Sequence, residues 1–368
     1  MAQALYRKYR SKKLEDLLGQ ETTVQILKNA AKTGRIGQAY ILYGPRGIGK
    51  TSTARLIAKL LNCEKRRTNP EFAKLGEPCN ECTACREIDA QNSFDVIEID
   101  AASNRGIDEI RNLKENIRTV PASGGAKVYI IDEAHMLTSA AWNALLKTLE
   151  EPPKHAVIIL ATTEYEKLPP TITSRAQRFV FKKVSKTAIV GKLAAEAKAE
   201  KIKIDEPALE LIAAIAEGSV RDAESLLDQI SSLGGAVALA DVERITGRTG
   251  LAKIAEFADI IIRKDLPAAL ASLGTLNDEG GNPVQFTKDL IHYLRKVLSL
   301  KLNPDLEKIF ERELTKEEVS IVKRLGMVAE VAFLVAIEKS LIRAYSEMRY
   351  SPFAATPLEI ALIENLKL

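Results

Sequence analysis

The stretch that most restricts what this chain can fold into is Gly44-Pro45-Arg46-Gly47-Ile48-Gly49-Lys50-Thr51. It fits G-x-x-x-x-G-K-[ST], a pattern with physical meaning only between a strand and a helix. Glycines let the main chain curl until its N–H groups face phosphate oxygens. The start of the next helix adds unsatisfied N–H groups and the positive end of a dipole. The flanks supply that setting, because Ala39–Tyr43 is a short apolar run and Thr51–Leu61 reads as a helix. Gly44, Pro45, Arg46, Gly47, Ile48, Gly49, Lys50, Thr51 and Ser52 are therefore the expected nucleotide cradle. Lys50 is the residue to reach the β- and γ-phosphates, and the Thr51 hydroxyl the one to ligate Mg²⁺. A glycine-rich turn without a ligand is the plain alternative, and the strand-loop-helix context disfavours it.

Further β-like runs alternate with helical patterns. Asp95–Ile99, Lys127–Ile131, Ala156–Ala161 and Gln177–Phe181 read as strands, and Ile107–Ile117 and Ala140–Leu149 as helices. Ile107, Ile110, Leu113 and Ile117 share one helical face. Such alternation predicts a parallel sheet flanked by helices, with ligands at the carboxyl ends of the strands. After about Lys182 no further strand run is convincing. Lys186–Lys201 and Pro207–Ala216 are helical, and Ser219 is placed to cap the next helix, which Gly234-Gly235 ends. Ile254–Ile262, Pro267–Leu273, Val284–Leu300, Lys316–Leu325 and Ala329–Met348 also read as helices. The expected division is an α/β domain over 1–181, a small helical domain over 182–245 and a larger helical domain over 246–368.

Val128–His135 carries the second half of a hydrolytic site, since a hydrophobic strand there ends in Asp132-Glu133. Asp132 can hold Mg²⁺ through water. Glu133 can accept a proton from an attacking water. His135 suits a packing role and a phosphate-sensing role equally. The net charge is only +4, so any DNA binding must come from local clusters or from an assembly. No apolar run approaches membrane-spanning length, and no stretch of signal-peptide type follows the basic N-terminus, so a cytoplasmic protein without a membrane partner is expected.

All four cysteines fall in one region, Cys63, Cys79, Cys82 and Cys85. Thiolates with short spacings suit a closed, tetrahedral, structural zinc site. Cys63 stands alone at the end of the helix that follows the phosphate loop, so zinc would pin an insert at about 63–86 back onto that helix. A redox or iron–sulfur role and buried free thiols are the other readings of the cluster.

The phosphate loop, Asp132-Glu133-Ala134-His135, the run from Leu145 to Pro153 (LLKTLEEPP) and Ala161-Thr162-Thr163 resemble the AAA+ clamp-loader ATPases. The cysteine insert and Tyr6-Arg7-Lys8-Tyr9-Arg10 leading to Leu18-Gly19-Gln20 narrow the resemblance to the gamma/tau family of bacterial DNA polymerase III. The likeness is strong over about 1–245 and weaker over 246–368.

It implies that the fold is an α/β P-loop AAA+ domain followed by a helical lid and an α-helical collar. Thr163 would be sensor 1, with Thr162 as fallback. Ser174-Arg175 resembles the Ser-Arg-Cys motif, with Ala176 in place of the cysteine, and Arg175 would be an arginine finger on a neighbouring subunit's ATP. Arg221, in Gly218-Ser219-Val220-Arg221-Asp222, would be sensor 2. The N-terminal segment would fold over the adenine through Ala4, Arg7, Tyr9, Leu17 and Leu18; a basic solvated arm or a DNA contact is the alternative. Arg105, just before the helix from Ile107, and Lys147 would contact DNA phosphates, against a plain surface role for each.

The implied protein is a motor subunit using ATP, Mg²⁺ and structural Zn²⁺. It would work in a ring with gamma/tau copies, delta and delta prime, loading a sliding clamp on primer–template DNA. Two alternatives are another AAA+ DNA motor, such as a branch-migration helicase, and a non-hydrolysing ATP-binding scaffold. The cysteine insert disfavours the first, and intact Lys50, Asp132 and Glu133 the second.

Overall fold

The five apolar runs become five parallel strands of one sheet: β1 (Ala39–Tyr43), β2 (Val96–Asp100), β3 (Lys127–Asp132), β4 (Ala156–Thr162) and β5 (Gln177–Val180). Their order is β2-β3-β4-β1-β5. The computed structural model describes residues 3–104, 106–122, 124–278, 280–310 and 314–366. β4 is central and every one of its residues is buried, as expected of a parallel strand covered on both faces.

Alternation along the strands divides their side chains between two cores. Tyr40, Leu42, Val128, Ile130, Val157 and Ile159 face one core, which includes Leu56, Ile57 and Leu60 from the helix Lys50–Asn62. Ile41, Tyr129, Ile131, Ile158 and Leu160 face the other, with Trp142, Leu145 and Leu149 from the helix Ser139–Glu150. Ile110, Leu113 and Ile117 of the predicted helical face are also buried there. β2 starts one residue later than its alternation predicts. Asp95 instead turns its carboxylate back, accepting the Ala122 N–H at 2.8 Å.

The chain divides into two compact units. One holds 1–184 and 219–222, and the other holds 185–218 and 223–368. The second unit is helical, and two differences from the sequence reading stand out. Lys203–Ile204 and Ala236–Val237, labelled β6 and β7, form a parallel pair where no strand is expected. Pairs of two residues are too short to show a period of two. The helix Thr356–Leu366 is also absent from the reading, yet it buries Leu358, Ala361, Leu362 and Leu366. Pro352 lies just before it and Pro357 in its first turn, and this punctuation hides the short apolar face.

Ser219 does cap its helix, its Oγ accepting the Asp222 N–H at 3.2 Å. No helix among the described residues is long and apolar enough to cross a membrane.

In the second unit Glu196 is buried beside Glu224, and Lys192 lies 3.7 Å from Glu196 and 2.8 Å from Glu224. Burial first, then the neighbouring Glu224 carboxylate, push Glu196 up to about 8, and Lys192 opposes only part of this. A folded-state acid with a raised pKa holds its proton longer than the unfolded chain does. Its contribution to stability therefore falls as pH rises from the ordinary glutamate range through about 8. Glu196→Gln is expected to remove that downward slope in the second unit, measured as denaturation midpoints across this pH range.

Candidate nucleotide site and cysteine centre

β1 ends between β4 and β5, and its last residues are tied to both. Gly44 donates its N–H to the Thr162 carbonyl at 3.2 Å, and Phe181 donates to the Tyr43 carbonyl at 2.7 Å. A Cβ on Gly44, whose φ is +146°, would lie 2.3 Å from the Phe181 carbonyl oxygen, so only glycine fits there. Gly47 (φ +73°) and Gly49 (φ +102°) complete the curl, and Gly49 stands immediately before the helix Lys50–Asn62. The loop therefore has the strand, turn and helix that the motif requires.

The buried Lys50 ammonium donates to the carbonyls of Gly44 and Pro45 at 2.8 and 2.6 Å. Burial lowers its pKa, while Glu133 and Asp132 pull the other way. Thr51 donates its hydroxyl to Asp132 Oδ2 at 2.7 Å, across the width of β4. The next residue, Glu133, sits in the left-handed region (φ 47°, ψ 43°), which turns the chain out of β3 at once. Thr163 donates its hydroxyl to Glu133 Oε2 at 3.2 Å. Thr162 is fully buried, and its hydroxyl accepts the Glu164 N–H at 3.0 Å and meets His135 Nδ1 at 2.9 Å. Of the two adjacent threonines, Thr163 is thus the one joined to the acidic pair. His135 also approaches Glu164 at 3.2 Å, so it braces the segment after β4 against the turn after β3.

Residues 219–222, in the segment expected to be sensor 2, reach the same loop. Arg221 donates its N–H to the Gly47 carbonyl at 3.2 Å, and its guanidinium lies 4.9 Å from the Tyr6 ring centre. Arg175 is elsewhere: it donates to the Thr171 carbonyl at 2.6 Å and pairs with Glu150 at 2.8 Å. Leu17 is buried and approaches the loop, its Cδ2 lying 3.3 Å from where a Gly49 Cβ would be. Ala4, Tyr9 and Leu18 are half-buried, and Arg7 is exposed, donating to the Tyr6 hydroxyl at 3.1 Å. Lys147 is exposed on its helix, and Arg105 lies outside the described residues.

The four cysteine sulfurs all lie within 4.8 Å of one another. Ligands about 2.3 Å from a tetrahedral zinc stand roughly 3.8 Å apart, so the cluster fits that ion. Cys79 donates its N–H to Cys63 Sγ at 3.4 Å, and Glu81 and Cys82 donate theirs to Cys79 Sγ at 3.4 and 3.3 Å. These donors stabilise thiolate charge. A hydrogen bond from Cys85 holds the Cys63 thiol down at about 4, and the same contact pushes Cys85 up.

Several participants escape a motif search. Glu150 holds Arg175, Tyr6 stacks on Arg221, and Gln20 pairs both ways with the Lys182 backbone at 2.7 and 3.1 Å. All three sit in elements that carry the family resemblance, Glu150 in Leu145–Pro153, Tyr6 in Tyr6–Arg10 and Gln20 in Leu18-Gly19-Gln20, yet no motif names their partners.

A parallel sheet with this strand order, a phosphate loop after β1 and an Asp-Glu pair leaving β3 define the P-loop class, in its AAA+ form. The comparisons sharpen this. The family model for the DNA polymerase III delta subunit matches residues 19–185. That for the ATPase lid domain of DNA polymerase III clamp-loader subunits matches 188–236, and that for gamma and tau domain III matches 237–367. The chain is 42% identical over 98% of its length to DNA polymerase III subunit tau of Bacillus subtilis, covering 63% of that protein. It is 41% identical over 79% of its length to subunit gamma/tau of Mycoplasma pneumoniae, covering 42% of it. Against subunit gamma of Buchnera aphidicola it is 33% identical, covering 98% of both chains. The chain belongs to the gamma/tau family of DNA polymerase III clamp-loader subunits. It spans less than two thirds of the length of the Bacillus and Mycoplasma relatives.

Gly44→Ala is expected to destabilise the first unit by at least about 2 kcal/mol, because backbone rather than a flexible side chain must yield. The sole tryptophan, Trp142, is buried in that unit, so its fluorescence during denaturation reads the loss directly.

Proposed function

We propose that this chain is the ATPase motor of a replicative clamp loader, using ATP binding and hydrolysis to place a sliding clamp on primed DNA. The observation that carries the reading is the joining of Thr51 to Asp132 beside Glu133 and Thr163, at the carboxyl ends of three neighbouring strands. Loop N–H groups and the helix start at Lys50 would bind the phosphates. Thr51 and Asp132 would hold Mg²⁺, which supplies charge neutralisation at the phosphates. Glu133, restrained by Thr163, would take the proton of the attacking water. Arg221 would contact the phosphates in cis, and residues 4–18 would cover the base. The functional division follows 1–181 as ATPase domain, 182–245 as lid and 246–368 as collar.

Arg175 is engaged with its own Glu150, and its proposed work is on a neighbour's nucleotide in a ring with gamma/tau copies, delta and delta prime. An exposed pair of this kind is worth at most about 1 kcal/mol, so a γ-phosphate can displace the carboxylate. Arg105 and Lys147 are assigned to primer–template phosphates, and the four cysteines to one structural zinc.

Glu133→Gln is expected to keep ATP affinity while turnover falls by roughly 10²- to 10⁴-fold. Equal turnover in the variant would make the chain an ATP-binding scaffold. In the assembled loader, DNA plus clamp should raise turnover, and Arg175→Ala should abolish that rise without weakening ATP binding; a full rise in the variant would remove Arg175 from a role in trans. Metal analysis of the purified chain should return about one zinc, lost in Cys85→Ser.

A further inference from the structure

The cysteine insert touches the segment that approaches the phosphate loop. Leu14–Asp16 is a short 3-10 helix whose first N–H groups have no partner within it. The insert supplies that partner. Glu77, buried, accepts the Leu14 N–H at 2.8 Å and the Glu15 N–H at 3.3 Å, and pairs with Lys28 at 2.8 Å. Asn80, one residue past Cys79, donates to the Lys12 carbonyl at 3.0 Å. It also accepts from Lys59 Nζ at 2.9 Å, and Lys59 is a buried residue of the helix that begins at Lys50. Gly76 lies against the helix Glu21–Thr33 so closely that a Cβ on it would stand 2.9 Å from the Lys28 carbonyl oxygen. Asn80 lies in the turn that Cys79 and Cys82 fix and Glu77 two residues before it, and these two polar side chains hold Lys12 to Glu15. That stretch leads directly into Leu17, which packs beside Gly49.

We propose that Glu77 and Asn80 are positioning residues for the base side of the nucleotide pocket, acting through residues 12–17, and that the cysteine centre serves to hold them in register. The inference rests on the reading that the N-terminal segment covers the base. It assigns the insert an effect on the nucleoside part of the ligand and none on the phosphates, which the loop binds independently. Removing the carboxylate leaves the buried Leu14 N–H unpaired, so the segment loses its anchor while the loop keeps its own.

The test compares binding of magnesium-ADP and of inorganic tripolyphosphate by calorimetry in the full chain. Glu77→Ala and Asn80→Ala are expected to weaken ADP about tenfold and leave tripolyphosphate unchanged. They should also hasten tryptic cleavage at Lys12 and Lys13. Leu17→Ala, in the segment itself, should show the same selectivity. Equal weakening of both ligands by the insert variants would overturn the proposal in favour of a general effect on the fold. Normal ADP binding in both insert variants, with Leu17→Ala still selective, would overturn it while sparing the reading of the segment. Normal ADP binding in all three would overturn both. Should Glu77→Ala melt below the assay temperature, Asn80→Ala decides alone: it removes the hydrogen bonds to Lys12 and Lys59, and Lys59 keeps its 2.6 Å ion pair with Asp89.

Discussion

The structure around the nucleotide loop depends on how β1 is fenced. Its end is held on one side by the carbonyl of Thr162 and on the other by the N–H of Phe181. A chain leaving that slot has little choice of direction, and the close Phe181 carbonyl admits only a residue without a side chain. Every later element of the site is placed relative to this exit. β4, beside β1, and β3 beyond it deliver Thr163 and the Asp132-Glu133 pair to one edge, and the helix that starts at Lys50 returns Thr51 to Asp132. Strand order, rather than any single side chain, brings together groups more than 80 residues apart in the chain, as Thr51 and Asp132 show.

Much of this was legible beforehand because it rests on periodicity and on a motif whose physics needs one setting. The apolar runs predict β1 with its observed limits and the other four strands within a residue at either end. Ser219 as a cap followed from the ordinary chemistry of helix starts. The cysteine spacing announced a cluster, and the sulfurs do converge.

The rest was not legible for physical reasons. A β pair of two residues leaves no repeat to detect, so Lys203–Ile204 with Ala236–Val237 passed as loop. Contacts between residues distant in sequence leave no local mark: even where a residue lies in a motif, nothing in the chain pairs Glu77 with Leu14, Glu150 with Arg175 or Tyr6 with Arg221. The choice between Thr162 and Thr163 shows the same limit. Alternation along a strand says that neighbours face opposite ways, but only the tertiary partners say which one meets Glu133 and which one meets His135.

The backbone of Glu133 has one more implication. A non-glycine residue in the left-handed region costs on the order of 1–2 kcal/mol, and here it is a glutamate. Glycine at this position would relax the turn, and asparagine would tolerate it better. Thermal robustness and the carboxylate therefore compete at a single residue. Variants of this domain selected only for heat resistance would drift toward losing the side chain proposed to take a proton from water.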